Sequence, residues 1–108
     1  MITNYNKLIR DRIPEIIEAK GKRAVVRTLN EREYIEMLDK KLQEELDEYT
    51  SAEAVDQVEE LADLVELVYA VLHSRGVSVE EFEKIRLKKK AERGGFEQKL
   101  YLIHVEET

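Results

Sequence analysis

The chain has no cysteine, so neither a disulfide nor a thiolate metal site can form. It has only two histidines, His73 and His104, too far apart in sequence to suggest an imidazole metal site. One proline and four glycines among 108 residues leave little irregular chain. The longest apolar run, Leu67 to Leu72, is too short to span a membrane. No secretory pattern opens the chain, because Asn4, Lys7, Arg10 and Asp11 interrupt the first residues. An excess of positive charge is also missing. The 18 basic residues face 24 acidic ones, for a net charge of -6. Bulk nucleic-acid binding needs the opposite balance. A small anionic ligand is still allowed, since a few local cations suffice for it. These absences predict one cytoplasmic domain over residues 1–108, with no membrane and no nucleic-acid partner. A domain of this length buries a modest core, and assembly is a common way to bury more.

What the chain has in quantity is helical signal. Asn30 precedes Glu33, Thr50 precedes Glu53 and Ser78 precedes Glu81, each a capping side chain followed three residues later by glutamate. Such pairs satisfy the free amides of a helix's first turn. They predict helices over 31–49, 52–74 and 79–92, the second stopping before Gly76 and the third at Gly94-Gly95. Pro14 suits the first turn of a shorter helix, from Pro14 to about Lys20, closed by Gly21. Short connections make neighbouring helices antiparallel. Arg23–Leu29 and Gln98–Val105 are candidate strands for a small two-stranded ribbon. The expected fold is therefore mainly α, an antiparallel helical bundle with that ribbon beside it.

The carboxylates are unevenly arranged. The first long helix reads Glu44-Glu45-Leu46-Asp47-Glu48, and the next reads Glu59-Glu60-Leu61-Ala62-Asp63. Glu45 with Glu48, and Glu60 with Asp63, are three residues apart, so each pair shares a helix face with Cβ atoms roughly 5–6 Å apart. At about 100° per residue, Tyr34, Leu38, Leu42, Leu46 and Tyr49 form the buried stripe of the first helix. Glu45 falls inside that stripe and Glu48 at its edge. The second helix is apolar nearly all round from Leu61 to Leu72, broken only by Asp63 and Glu66. A carboxylate aimed at a core is costly unless something pairs with it. The bland alternative is a solvated acidic face, and an isolated Glu-x-x-Glu would mean no more than that. Two such pairs on consecutive helices, one inside an apolar stripe, favour a cation site. Oxygen ligands suit Mg2+, and the set offers neither the sulfur nor the imidazole that zinc favours.

Glu44-Glu45-x-x-Glu48 followed by Glu60-x-x-Asp63 resembles the signature of the MazG-like, all-alpha nucleoside triphosphate pyrophosphohydrolases. That superfamily includes dimeric dUTPases and phosphoribosyl-ATP pyrophosphohydrolase. Two further segments, Tyr5-Asn6-Lys7-Leu8-Ile9-Arg10-Asp11-Arg12-Ile13-Pro14 and Lys89-Lys90-Ala91-Glu92-Arg93-Gly94-Gly95-Phe96, resemble a branch of short phosphoribosyl-ATP pyrophosphohydrolase-like proteins. The resemblance implies that Glu45, Glu48, Glu60 and Asp63 bind Mg2+. It implies reaction at the α-phosphorus of a nucleotide with release of pyrophosphate. It also implies an obligate oligomer, a homodimer or homotetramer, that completes the bundle.

Two basic groups flank the acids in sequence: Lys7, Arg10 and Arg12, then Lys88, Lys89, Lys90 and Arg93. A triphosphate needs cations beyond the metal, and arginine's planar fork suits phosphate oxygens. Lysines near a helix C-terminus also complement the helix dipole without any ligand. With the resemblance, Lys7, Arg10, Lys89 and Arg93 are the substrate-binding candidates, and Glu45 and Glu48 the candidate proton acceptors. The expected function is Mg2+-dependent hydrolysis of a nucleoside triphosphate to a monophosphate and pyrophosphate, a nucleotide-pool house-cleaning reaction. Two rivals stand beside it. One is phosphoribosyl-ATP hydrolysis in histidine biosynthesis. The other is a non-catalytic helical protein for dimerisation or nucleotide sensing.

Overall fold

A computed structural model of the chain describes residues 1–107. Four helices follow one another: α1 (Ile13–Ala19), α2 (Glu31–Ser51), α3 (Ala54–Ser74) and α4 (Val79–Arg93). The fold is all-α, as the capping pattern and periodicity predict. Pro14 lies in the first turn of α1, where its missing N–H costs no helical bond. Gly21 follows that helix at φ +79°, a left-handed geometry that favours glycine. At the start of α2, the Asn30 side chain accepts from the Glu33 amide at 2.9 Å, and the Glu33 carboxylate accepts from the Asn30 amide at 3.4 Å. Both halves of the capping box are therefore made. Arg27 adds a two-pronged grip on Glu33, at 2.7 and 3.2 Å. Ser78 caps α4 by accepting from the Glu81 amide at 3.1 Å.

The middle cap is different. Thr50 lies inside α2, and its hydroxyl donates back to the Asp47 carbonyl at 3.0 Å. Ser51 does the same at 2.8 Å. Glu53 itself occupies the N-cap of α3 and makes no side-chain cap bond. A hydroxyl that bonds one turn back along its own helix is unavailable to start the next.

Only residues 52 and 53 separate α2 from α3, and the two helices pack as an antiparallel hairpin. The Gln57 side chain donates to the Tyr49 carbonyl at 3.1 Å beside the turn. Leu38, 2 % exposed, and Leu67 form the buried apolar centre. Truncating a leucine so enclosed removes about 2–5 kcal/mol of stability. Leu46, placed in the buried stripe from sequence, is 43 % exposed. It lies some 80° round the helix from Leu38, beyond what a single neighbouring helix covers. On α3, Val58, Leu61, Val65 and Tyr69 are exposed, on the side of the helix away from Leu67. Two helices bury one stripe of each other and leave the remaining apolar stripe of α3 uncovered.

The chain divides into two compact units, Met1–Gly76 and a second beginning at Val77. The first holds α1, α2, α3 and the segment that leads into α1. The second holds α4, whose first turn carries Glu80 and Glu81 and whose last carries Lys90 and Arg93, as the helix dipole favours. Gly94 at φ +83° ends it, with its amide on the Lys90 carbonyl at 2.7 Å. The anticipated ribbon does not form: the described residues contain no strand, and both candidate segments lack regular structure. The reason is visible in their burial. Val25 and Val26 are both exposed, as are the consecutive Leu100, Tyr101, Leu102 and Ile103. Neither segment has the alternation of a sheet with one buried face.

No helix among the described residues is long and apolar enough to cross a membrane.

Candidate metal centre

Glu45 lies two turns after Leu38 on the same face of α2 and is 8 % exposed, the buried charged residue of the hairpin. Glu60 and Asp63, one turn apart on α3, meet it across the helix pair. One carboxylate oxygen from each of the three lies within 4.8 Å of the others. Oε2 of Glu45 and Oε2 of Glu60 are buried and have no hydrogen-bond partner. A buried acceptor left unpaired carries a penalty of about 1–3 kcal/mol, more if charged. Native structures rarely tolerate two so close together without a ligand to receive them.

The electrostatics point the same way. Burial raises the Glu45 carboxyl above the ordinary carboxylate range. The charge of Glu48 adds to that rise, Lys41 opposes it, and Asp63 adds further. Glu60 is raised as well, by burial first and then by Glu48 and Asp63. Glu48 is thus close enough to act on both, although it is exposed and stands outside the group of three. Converging carboxylates that resist ionisation are what a hard divalent cation relieves. The donor set, all oxygen, fits magnesium and offers nothing to a thiophilic metal.

Cations from two directions already meet the acids. Arg10 reaches in from the segment before α1 and donates to Asp63 Oδ1 at 2.7 Å. Lys41 sits one turn before Glu45, with its ammonium 3.7 Å from Glu45 Oε1 and the two side chains only 19 % and 10 % exposed. Lys41 was not singled out from sequence. Its signal was available: a lysine four residues before the anomalous glutamate shares the same flank of the stripe.

A cavity of about 440 Å³ opens beside the cluster. Lys7, Arg10 and Lys41 line it together with Tyr34, Glu45 and Asp63. Of the candidates read from sequence, the first unit therefore gathers Glu45, Glu60, Asp63, Lys7 and Arg10, with Glu48 alongside. Lys7 also stands 5.5 Å from the centroid of the Tyr5 ring. Arg12 instead pairs locally with Glu15 at 2.6 Å. Lys89 and Arg93 belong to α4, in the second unit, and both are exposed.

The phosphoribosyl-ATP pyrophosphohydrolase family matches residues 3–90. The chain belongs to that family. The matched span contains every carboxylate of the cluster along with Lys7, Arg10 and Lys41. A protein of Mycolicibacterium smegmatis, described only as uncharacterized, is 50 % identical over 50 residues. That alignment covers 46 % of this chain and 51 % of the M. smegmatis protein, so the chain spans about half the length of the curated relative it matches. No solved structure matches the chain.

Proposed function

We propose that this family member is a Mg2+-dependent nucleotide pyrophosphohydrolase that converts a nucleoside triphosphate to its monophosphate and pyrophosphate. The observation that carries the reading is the pair of buried, unpartnered oxygens on Glu45 and Glu60 beside Asp63. Together with the family match, it favours a cation site over a solvated acidic face. Glu45, Glu60 and Asp63 are the proposed metal ligands, with Glu48 completing the set from the solvent side. Magnesium held there supplies charge neutralisation for the phosphates and makes water a better nucleophile at neutral pH.

The protein's own groups do the rest. Water attacks the α-phosphorus, and the bond from that phosphorus to the α,β-bridging oxygen breaks. The proton of the attacking water passes to a carboxylate. Glu48 suits that step, since it stands beside Glu45 and Glu60 yet is exposed. Glu45 is enclosed and engaged by Lys41. The electron pair leaves with pyrophosphate, and Lys7 and Arg10 stabilise its charge. For Lys89 and Arg93 a role at the phosphates rests on the sequence motif.

The exposed stripe of Val58, Leu61, Val65 and Tyr69 on α3 supports assembly of the chain into a homodimer or homotetramer. We assign the enzyme to the cytoplasm. The family's name favours a second substrate reading, phosphoribosyl-ATP, on which the same bond would break. A panel of nucleoside triphosphates and phosphoribosyl-ATP, each incubated with Mg2+ and with chelator, tests the proposal. Magnesium-dependent release of pyrophosphate from a panel member supports it. Release that survives chelation, or absent from the whole panel, refutes it.

A further inference from the structure

The cluster contains a cation that belongs to the protein and comes from outside the helix pair. Arg10 lies outside any helix, in the segment leading into α1, and its backbone carbonyl accepts from the Ile13 amide at 3.1 Å. Its guanidinium reaches Asp63, which lies 53 positions further along the chain, at 2.7 Å. The two side chains are 55 % and 45 % exposed. Exposed pairs of this kind contribute little and exchange readily. The same Arg10 lines the 440 Å³ cavity beside the acids, with Lys7 and Lys41. Lys41 is different: its side chain is enclosed on α2, one turn from Glu45, with its ammonium 3.7 Å from that carboxylate.

Resting on the metal reading above, we propose that Arg10 is an exchangeable counter-ion. It holds Asp63 while the metal is absent, and the entering metal displaces it into the cavity, where it takes a phosphate oxygen of the substrate. A divalent ion on Asp63 competes with the guanidinium for the charge of that carboxylate and repels it. A guanidinium released there has the geometry to grip phosphate in two-pronged fashion. Two consequences follow. Arg10 competes with metal in the substrate-free protein, and it assists phosphate binding once metal is present. A residue that only stabilised the fold would do neither.

The test uses the full chain and Mn2+ alone, with free Mn2+ followed by electron paramagnetic resonance. Four proteins are compared: the parent, Arg10→Gln, Arg10→Lys, and Arg12→Gln as a control for net charge. Arg10→Gln should bind Mn2+ about two- to fivefold more tightly than the parent, the scale of one exposed ion pair. Arg12→Gln, which loses the same charge but touches Glu15, should shift less, and Arg10→Lys should lie near the parent. In the second arm, with Mg2+ saturating, calorimetry measures the binding of inorganic pyrophosphate. Arg10→Gln should weaken it about tenfold, the scale of one charge-assisted bond. Tighter metal binding together with weaker pyrophosphate binding supports the exchange. Mn2+ affinity in Arg10→Gln equal to or below that of Arg12→Gln overturns it, as does unchanged pyrophosphate binding. If the parent itself fails to bind Mn2+, the metal reading falls and the exchange falls with it. Normal Mn2+ binding without the difference sinks the exchange alone.

Discussion

Replacing Glu45 with glutamine separates a cation site from a structural acid more cleanly than removing the side chain. The substitution keeps the volume, deletes one negative charge and supplies an N–H donor. In the metal-free chain it should lose the ionic pairing with Lys41, an enclosed pair that at 3.7 Å is beyond hydrogen-bond distance, at a cost of about 1 kcal/mol. Against that, an unsatisfied buried carboxylate oxygen disappears, a penalty of about 1–3 kcal/mol. At the middle of these ranges the gain outweighs the loss by about 1 kcal/mol. For a domain near this size, that raises the melting temperature by about 4–8 °C.

Magnesium should then help the variant less. At a concentration of about 100 times Kd the ion contributes about 2.7 kcal/mol to the parent. If the missing ligand weakens affinity about tenfold, the contribution at the same concentration falls to about 1.4 kcal/mol. Thermal denaturation followed by circular dichroism, with chelator and with Mg2+, reads both effects. The crossing is the signature: the variant melts higher without metal and gains about half as much with it. A variant less stable than the parent in chelator, or one with an undiminished magnesium response, would rule out Glu45 as a metal ligand.

Further expectations follow from the same geometry. Glu45 and Glu60 hold protons more tightly in the folded chain than in the unfolded one, so stability falls as pH rises. The loss should begin above the ordinary carboxylate value of 4.5 and continue through their raised values. Glu45→Gln should flatten that slope in chelator, while Mg2+ should protect the parent more at neutral pH than near the ordinary carboxylate value of 4.5, since ligands must be deprotonated. Asn30→Ala should cost about 1 kcal/mol, seen as a lower denaturation midpoint without any change in metal response. Val65→Glu, on the exposed stripe of α3, should turn an assembled parent into monomer in sedimentation velocity at micromolar concentration. A parent already monomeric there would end the assembly proposal.

The parts of this protein that could be read from sequence are those where local chemistry and tertiary structure agree. Asn30 and Ser78 start helices because each has an acidic residue one turn on and no competing bond. Glu45 could be recognised as buried because the helical period alone puts it on the Leu38 face. Thr50 misled because the same hydroxyl can cap forward or bond back, and only the fold decides. Leu46 misled because periodicity gives the direction of a side chain but not the width of its cover. Arg23–Leu29 and Gln98–Val105 contain branched and aromatic residues, but a strand also needs a partner and a face to bury. Arg10 could be picked out as a phosphate ligand, but not as the partner of Asp63. That contact bridges 53 positions and leaves no local trace. Lys41 shares a face with Glu45 and could have been found by extending to cations the wheel that found the acids.

Hydrolysis at the α-phosphorus, directed by the Glu45, Glu48, Glu60 and Asp63 carboxylates, leaves an isotopic signature. The most direct measurement is a turnover in 18O-labelled water with Mg2+, using the panel member that the chain hydrolyses fastest and mass spectrometry of both products. Attack at the α-phosphorus puts one 18O in the monophosphate and leaves pyrophosphate unlabelled, and the reaction should be lost in Glu48→Gln and Glu60→Gln. Label in inorganic phosphate with a diphosphate product, or full turnover in both variants, would contradict it.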